Sequence, residues 1–426
     1  MAETQYKIGA RTAMAICIST MIGTGVFTSL GFQLAEVQNT WSIIILWLLG
    51  GVIALIGAFT YAELGTHFQD SGGDYIFLSR IFHPILGYLY TWISLTAGFS
   101  APVAISAMAM TAYLSTPLGI DANSPWLGIA LIIILSAIHS LTIKTSGWFQ
   151  DISSALKVLF VITLVVIGFA YAPAGENSIN LDSSWTSEIW VPGFAVSLIF
   201  VSYAYQGWNS AAYIVGEIRN PLKNLPIALI GGTVLVTVIY IMMQYVMLKH
   251  ASVSEMSGQV EVTTIAFSNI LSSRGAYWIS LFIALQLIAT ISGYLWIGSR
   301  IVQAMAAEHN QWKFVAPKSK SNIPVRAVWL LAAVSIFFTL TSTFEQVLIY
   351  AGFLLQLMSS ITIASVFFIE KKEGTFRSPF GRSLQVFYIL FSIVVLVYTF
   401  VERPQESMIG LGLLGLGLVT YFVGRR

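Results

Sequence analysis

Apolar residues run along this chain in long unbroken stretches, not in the one-sided stripes of a soluble helix or the alternation of a strand. A helix needs about 20 apolar residues to cross a hydrocarbon core. Stretches of that kind lie at 9–35, 41–64, 82–114, 126–143, 153–172, 190–217, 226–248, 275–302, 327–343, 346–369, 384–401 and 406–423. The pattern predicts an all-α integral membrane protein with twelve transmembrane helices. The longest loops, 249–274 and 303–326, leave no room for a separate extramembrane unit, so a single transmembrane domain over 1–426 is expected.

Two stretches are interrupted in the middle. The first carries Ile22-Gly23-Thr24-Gly25, two glycines around a threonine. Each interior glycine costs about 1 kcal/mol of helix stability relative to alanine. Inside lipid, a broken helix also leaves N–H and C=O groups that water cannot reach. Two readings follow: the small residues let a neighbouring helix pack closely, or the opened backbone holds something. The sixth stretch is interrupted likewise, across Ser202-Tyr203-Ala204-Tyr205-Gln206-Gly207-Trp208-Asn209-Ser210-Ala211. The second interruption comes five spans after the first, an odd offset, so the two broken helices are expected to run in opposite directions. Matching breaks in opposed orientation are the sequence sign of an inverted-repeat secondary transporter. The repeats would span about 9–172 and 190–369, with helices 11 and 12 (384–423, the latter rich in glycine) outside them, there to pack or to mediate oligomers. Residue identity between the halves is not visible, and the repeat rests on this pattern.

Charge orients the spans. With an even number of crossings, 17 Lys and Arg side chains fall on the side of the termini, and only Lys249, Arg274 and Arg403 on the other. Cytoplasmic loops carry the excess of Lys and Arg, so both termini are expected in the cytoplasm and the protein in the plasma (inner) membrane. Composition agrees: 56% of residues are hydrophobic and 9% charged, against roughly 25% charged in a soluble domain. The net charge of +2 does not call for nucleic acid. The single cysteine, Cys17, excludes an internal disulfide. The short polar start makes the first span the expected insertion signal, and the absence of any N-x-[ST] acceptor fits a bacterial source. His67, His83, His139, His250 and His309 show no metal-ligand spacing, and no Ser-His-Asp set stands out, so neither a metal, a cofactor nor an enzyme is expected.

Three motifs now come together: the Ile-Gly-Thr-Gly-Val-Phe break, YAELGTHFQDSGGDYIF at 61–77, and GWNSAAYIVGEIRNPLKNLP at 207–226. In this order and spacing the chain resembles the amino acid–polyamine–organocation (APC) superfamily, nearest its L-type amino-acid transporter (LAT) branch. The resemblance covers spans 1–10. It implies that the amides around Gly23, Thr24 and Gly25 hold a substrate carboxylate, in keeping with the partial positive charge of a helix N-terminus. Carbonyls of Met21 and Ile22, and of Tyr203, Ala204 and Gln206, would take the ammonium. Tyr203 stands where the family places an aromatic gate, with bundle packing as the plain alternative. Where relatives that carry cationic substrates place an acid in helix 6, this chain has Asn209. Every acidic residue falls at a helix end or in a loop: Glu63 closes helix 2, Glu217 closes helix 6 and Asp151 precedes helix 5. A cationic side chain would lose its water without gaining a partner, which points to neutral amino acids.

Expected pocket residues are Ser100, Ala101 and Pro102 of helix 3 with Ser292 and Tyr294 of helix 8. Lys157 is the one charge inside a span away from its ends, roughly 9 Å beyond Asp151 along a helix. A lysine there costs about 2.5–3.5 kcal/mol on insertion scales. It either snorkels to the inner interface or stands where sodium-dependent relatives hold a sodium ion, as the resemblance implies, fixed or titrating. Glu217, Arg219, Asn220 and Pro221 with Arg300 read as an inner gate or a structural latch, and Ser71-Gly72-Gly73-Asp74 as a turn that could hinge. The reading is a sodium-independent carrier of neutral amino acids, an exchanger or proton-coupled. The alternatives are a cationic amino-acid or polyamine carrier and a transporter-derived sensor. The LAT branch in animals pairs with a single-span chain through a cysteine between helices 3 and 4. Ser115 to Pro125 contains none, so no disulfide-linked heavy chain is expected.

Overall fold

The computed structural model describes residues 8–141, 146–173, 182–319, 323–370 and 372–424. Every apolar stretch carries helix, and no strand occurs among the described residues. The first stretch is two helices, α1 (Ala10–Met21) and α2 (Thr24–Glu36), with Ile22 and Gly23 extended between them. Then come α3 (Thr40–Phe68), the short α4 (Asp74–Ile81), and α5 (Pro84–Leu118), which holds a π-helical stretch over Ser94–Ser100. Next are α6 (Trp126–Leu141), α7 (Ser146–Ala170) and α8 (Pro192–Ala204). A turn leads to α9 (Ser210–Tyr213) and on to α10 (Pro221–His250). The chain closes with α11 (Ser273–Glu308), α12 (Val325–Thr341), α13 (Phe344–Ser365), α14 (Ser383–Glu402) and α15 (Pro404–Val423). Among the described residues eight helical segments are long and apolar enough to cross a bilayer, and four shorter apolar helices accompany them.

Several helix ends differ from the sequence reading, among them these. α3 continues past Glu63 to Phe68. α7 starts at Ser146, so the helix that was expected to follow Asp151 already includes it. α11 runs on to Glu308, beyond the expected end at 302. The extensions carry polar or charged residues at the margins of the apolar runs, where a hydrophobicity reading stops but backbone hydrogen bonding does not.

The distribution of side chains is the reverse of a soluble fold. α14 exposes Val386, Phe387, Leu390, Ile393, Val394 and Val397, while Gln385, Ser392 and Thr399 of the same helix are buried. Gln356 of α13 donates to Ser392 Oγ at 2.7 Å, and Gln385 to Thr60 Oγ1 of α3 at 3.1 Å. In an apolar solvent, such bonds join helices that hydrophobicity alone would not hold together. Glu63 anchors the end of α3 in the same way. It pairs with Arg382 at 2.9 Å and accepts from the Ser378 N–H at 3.1 Å and the Ser378 hydroxyl at 2.9 Å.

Glu63→Ala leaves that guanidinium and amide without their acceptor, a loss of about 2 kcal/mol. The expected outcome is a lower melting temperature of the detergent-solubilised protein, with Glu63→Gln falling between the two; an unchanged melting temperature contradicts the anchor.

Candidate functional site

The two interruptions meet. α1 stops because Ile22 and Gly23 take extended backbone, and α2 then starts without any side-chain cap. The N–H groups of its first turn therefore have neither an intrahelical partner nor a capping oxygen. α8 stops at Ala204, and 205–209 form turns before α9. At Gly207 φ is +106°, a conformation that suits glycine. Gly25 lies so close to α8 that a β-carbon built on it would sit 2.6 Å from Ala204 Cβ. Close packing and opened backbone are thus both true of the first break: Gly25 is the contact point, and the backbone on either side of it is freed.

Side chains tie the breaks to each other. The Thr20 hydroxyl lies 3.1 Å from the Gly207 carbonyl, and Ser210 donates to Thr20 Oγ1 at 2.9 Å. The Tyr240 hydroxyl of α10 donates to the Met21 carbonyl at 2.6 Å and reaches the Ala204 carbonyl at 3.1 Å. One phenolic proton thus serves an open carbonyl of each broken helix. Trp47 and Tyr205 pack on the Tyr240 ring, with centroids 5.3 and 5.1 Å away, and Tyr205 donates to the Trp47 carbonyl at 3.0 Å. Thr24 and Ser106 share a 2.7 Å hydrogen bond that fixes the start of α2 against α5.

A cavity of about 640 Å³ opens from this junction, within the range of small-molecule sites. Met21, Ile22, Gly23, Thr24, Gly25, Tyr203, Ala204, Gln206 and Asn209 all line it, as do Pro102, Tyr294, Lys157 and Arg300. It runs from the second half of α1 (Ile16 to Met21) along the last turns of α11 to exposed Ala304 and Glu308. No residue of α2 beyond Gly25, and none of α8 before Tyr203, borders it. The cavity is therefore open toward the end where α1 begins and closed above Gly25 and Tyr203.

Some expected residues lie elsewhere. Ser100 is fully buried and donates to the Leu331 carbonyl at 3.3 Å, and Ala101 is buried outside the cavity; Gly98 and Phe99 line it instead. The π-helical stretch over Ser94–Ser100 widens this turn and shifts which residues of α5 face the cavity relative to a regular helix. Ser292 pairs with His139 at 2.8 Å, on the side of α11 away from Thr290, Gly293, Tyr294 and Ile297, which face the cavity. The Glu217 side chain is exposed and forms no ion pair with Arg300. Its carbonyl instead accepts from Ile8 at 2.9 Å, pinning the N-terminal segment beside the second broken helix. Arg300 donates to the Trp296 carbonyl at 2.6 Å and lies over the Trp296 ring. Three of the carbonyls expected to face an ammonium already have donors: the Gln206 N–H reaches the Tyr203 carbonyl at 3.0 Å, and Tyr240 serves Met21 and Ala204.

Lys157 is 4% exposed and faces the cavity eleven residues into α7, with no acidic partner among the described residues. That places it roughly 16 Å along the helix from Ser146. The charged residues lining the cavity are Lys157, Arg300 and Glu308. Glu308 sits at the exposed mouth and accepts the Tyr75 hydroxyl. Tyr240, Thr20 and Ser210 were not anticipated from sequence. Their spacing carries no signal, because each partner is reached only through the crossing of the two breaks.

The chain matches the family described as Amino acid permease over residues 8–421. It is 26% identical over 430 residues to the b(0,+)-type amino acid transporter 1 of Homo sapiens, covering 98% of this chain and 88% of that one. Similarity of the same order links it to the Large neutral amino acids transporter small subunit 2 of Mus musculus, 27% identical over 98% of this chain and 81% of that one. For the Rattus norvegicus protein of that name the figures are 28%, 98% and 80%.

Tyr240→Phe removes the hydroxyl between Met21 and Ala204 and leaves buried carbonyls without a donor, at about 1–2 kcal/mol. A melting temperature several degrees below wild type is expected, and a wild-type value contradicts the role given to this hydroxyl.

Proposed function

The chain belongs to the amino acid permease family, and from that premise we propose that it carries neutral L-amino acids across the plasma (inner) membrane by alternating access, without sodium. The observation that carries this reading is the pair of helix breaks that meet at one cavity whose lining, among the described residues, has cations on its walls and an acid only at its mouth. The uncapped start of α2 offers N–H groups and the positive end of a helix dipole to an α-carboxylate. The Ile22 and Gln206 carbonyls remain for an α-ammonium, with Met21 available if Tyr240 gives up its bond. A lysine or arginine substrate would bring a second positive charge beside Lys157 and Arg300, which its desolvated side chain could not offset. The relatives named for large neutral amino acids fit this reading, while the b(0,+)-type relative supports amino acid transport without separating neutral from cationic substrates. In this reading the chain is a transporter and not an enzyme.

The same proposal assigns twelve crossings, eight long helices and four short ones, with both termini cytoplasmic. The cavity then opens inward. α1 to α7 and α8 to α13 form the two inverted halves, and α14 and α15 stand outside them. No disulfide-linked heavy chain is proposed, because Cys17 is buried in α1. Lys157 takes the place of a sodium ion behind the first break, where a fixed cation would favour exchange and a titrating one proton symport.

Purified protein in proteoliposomes is expected to take up or exchange alanine or leucine faster than arginine or lysine, at a rate indifferent to a sodium gradient. Lys157→Ala should lower the rate at least tenfold. Faster arginine uptake, or uptake that scales with sodium, contradicts the proposal.

A further inference from the structure

Asp74 is the fully buried carboxylate that the proposed cycle leaves unused. It opens α4, just after the Ser71-Gly72-Gly73 turn, yet no lysine, arginine or histidine bonds it among the described residues. The groups that face it are hydroxyls from separate elements. Tyr61 of α3 donates to one carboxylate oxygen, and Tyr213 of α9 to the other at 2.5 Å. Tyr90 of α5 and Thr362 of α13 complete the ring, with Tyr388 of α14 beyond. Burial raises the Asp74 pKa, and the tyrosine hydroxyls act against that rise. Keeping a carboxylate buried without a cation is costly, so the hydroxyls around it are its stabilising partners.

The turn beside it is stitched to the inner part of the second broken helix. The Gly72 N–H donates to the Tyr213 carbonyl at 3.0 Å, and the Gly216 N–H to Ser71 Oγ at 3.1 Å. Gly73 lies against the Tyr213 ring, where a β-carbon would come within 2.8 Å. Tyr213 also reaches back to the break itself: its hydroxyl meets that of Tyr90 and, at a long 3.4 Å, the Asn209 side-chain amide. Asn209, Tyr213, Ser71 and Gly72 all border the cavity. A continuous set of contacts therefore runs from the helix break to a turn at the cavity wall, and Asp74 is its one buried charge-bearing member.

We propose that Asp74 is a positioning residue for translocation: through Tyr213 it locks the Ser71–Gly73 turn to the inner half of the second broken helix, so that the two move as one body when the inner mouth of the cavity opens and closes. Asp74 touches no substrate. Its effect passes through Tyr213 to the backbone at the break. The proposal rests on the transport reading above but concerns a different step, the movement and not the recognition.

Asp74→Asn keeps the size of the side chain but puts an amide donor where one tyrosine now donates, and Tyr213→Phe removes that tyrosine's hydroxyl. In proteoliposomes loaded with whichever amino acid the wild-type chain exchanges, each variant is expected to lower the maximal rate at least tenfold with substrate affinity within twofold. The double variant should be no worse than twofold below the slower single one, because both substitutions break the same link. Hydrogen exchange in detergent gives a readout that needs no transport: amides of 69–76 and of 210–217 should exchange about tenfold faster together in either variant. Wild-type rates, affinity lost in step with rate, multiplicative effects in the double variant, or deprotection of one segment alone would each overturn the proposal. If Asp74→Asn does not fold, Tyr213→Phe carries the test, since Tyr61 still serves the carboxylate. A wild-type chain that moves no amino acid sinks the transport reading, while the exchange measurement still decides this one.

Discussion

Two broken helices cross where Gly25 touches Ala204, and the backbone groups freed on either side set the terms for everything around them. In lipid such groups must find partners. Some find them in the protein: the Tyr240 hydroxyl between the Met21 and Ala204 carbonyls, Thr20 against the Gly207 carbonyl, and the Gln206 N–H on the Tyr203 carbonyl. Others, chiefly the uncapped amides at the start of α2, face a cavity. This division separates structure from function at the centre of the molecule. Groups with partners hold the crossing together, and those without are what a zwitterion can use.

The outer helices serve this centre by letting polar groups stay inside. A chain with 9% charged residues cannot place charge freely in a membrane, so the charges it buries have particular surroundings. Glu63 is paired with Arg382 at the end of α3, Lys157 stands against the cavity, and Asp74 is ringed by hydroxyls. Lys157 and Arg300 put positive charge on the cavity wall, which works against a substrate with a cationic side chain. Asp74 lies behind Tyr213 and Tyr90 and leaves the chemistry of the wall unchanged.

Much of the fold was legible in the sequence because lipid makes hydrophobicity the dominant signal, and every apolar stretch became helix. The breaks were legible because Gly23, Gly25 and Gly207 contradict the runs that contain them. Other features were hidden for definable reasons. Of the three consecutive residues Ser100, Ala101 and Pro102 only Pro102 borders the cavity, and the π-helical stretch over Ser94–Ser100, which alters the helical register there, carries no sequence signal. Ser292 faces His139 because it lies on the side of α11 opposite Thr290, Gly293, Tyr294 and Ile297, which border the cavity. Glu217 and Arg300 were paired by polarity, but the backbone of Glu217 is what the fold uses. Tyr240 and the Asp74–Tyr213 link join residues 219 and 139 positions from their partners, and no single-chain periodicity reports a contact of that kind.

The central claim is that opened backbone at the two breaks recognises the α-carboxylate and the α-ammonium together. Binding of matched analogues to the purified protein tests it most directly: a neutral amino acid, its carboxamide, the amine that lacks the carboxylate, and the oxo acid that lacks the amine. The account predicts measurable affinity for the intact amino acid and at least a hundredfold loss for each analogue missing one of the two charges, about 2.7 kcal/mol. Comparable binding of the decarboxylated amine or of the oxo acid would contradict it.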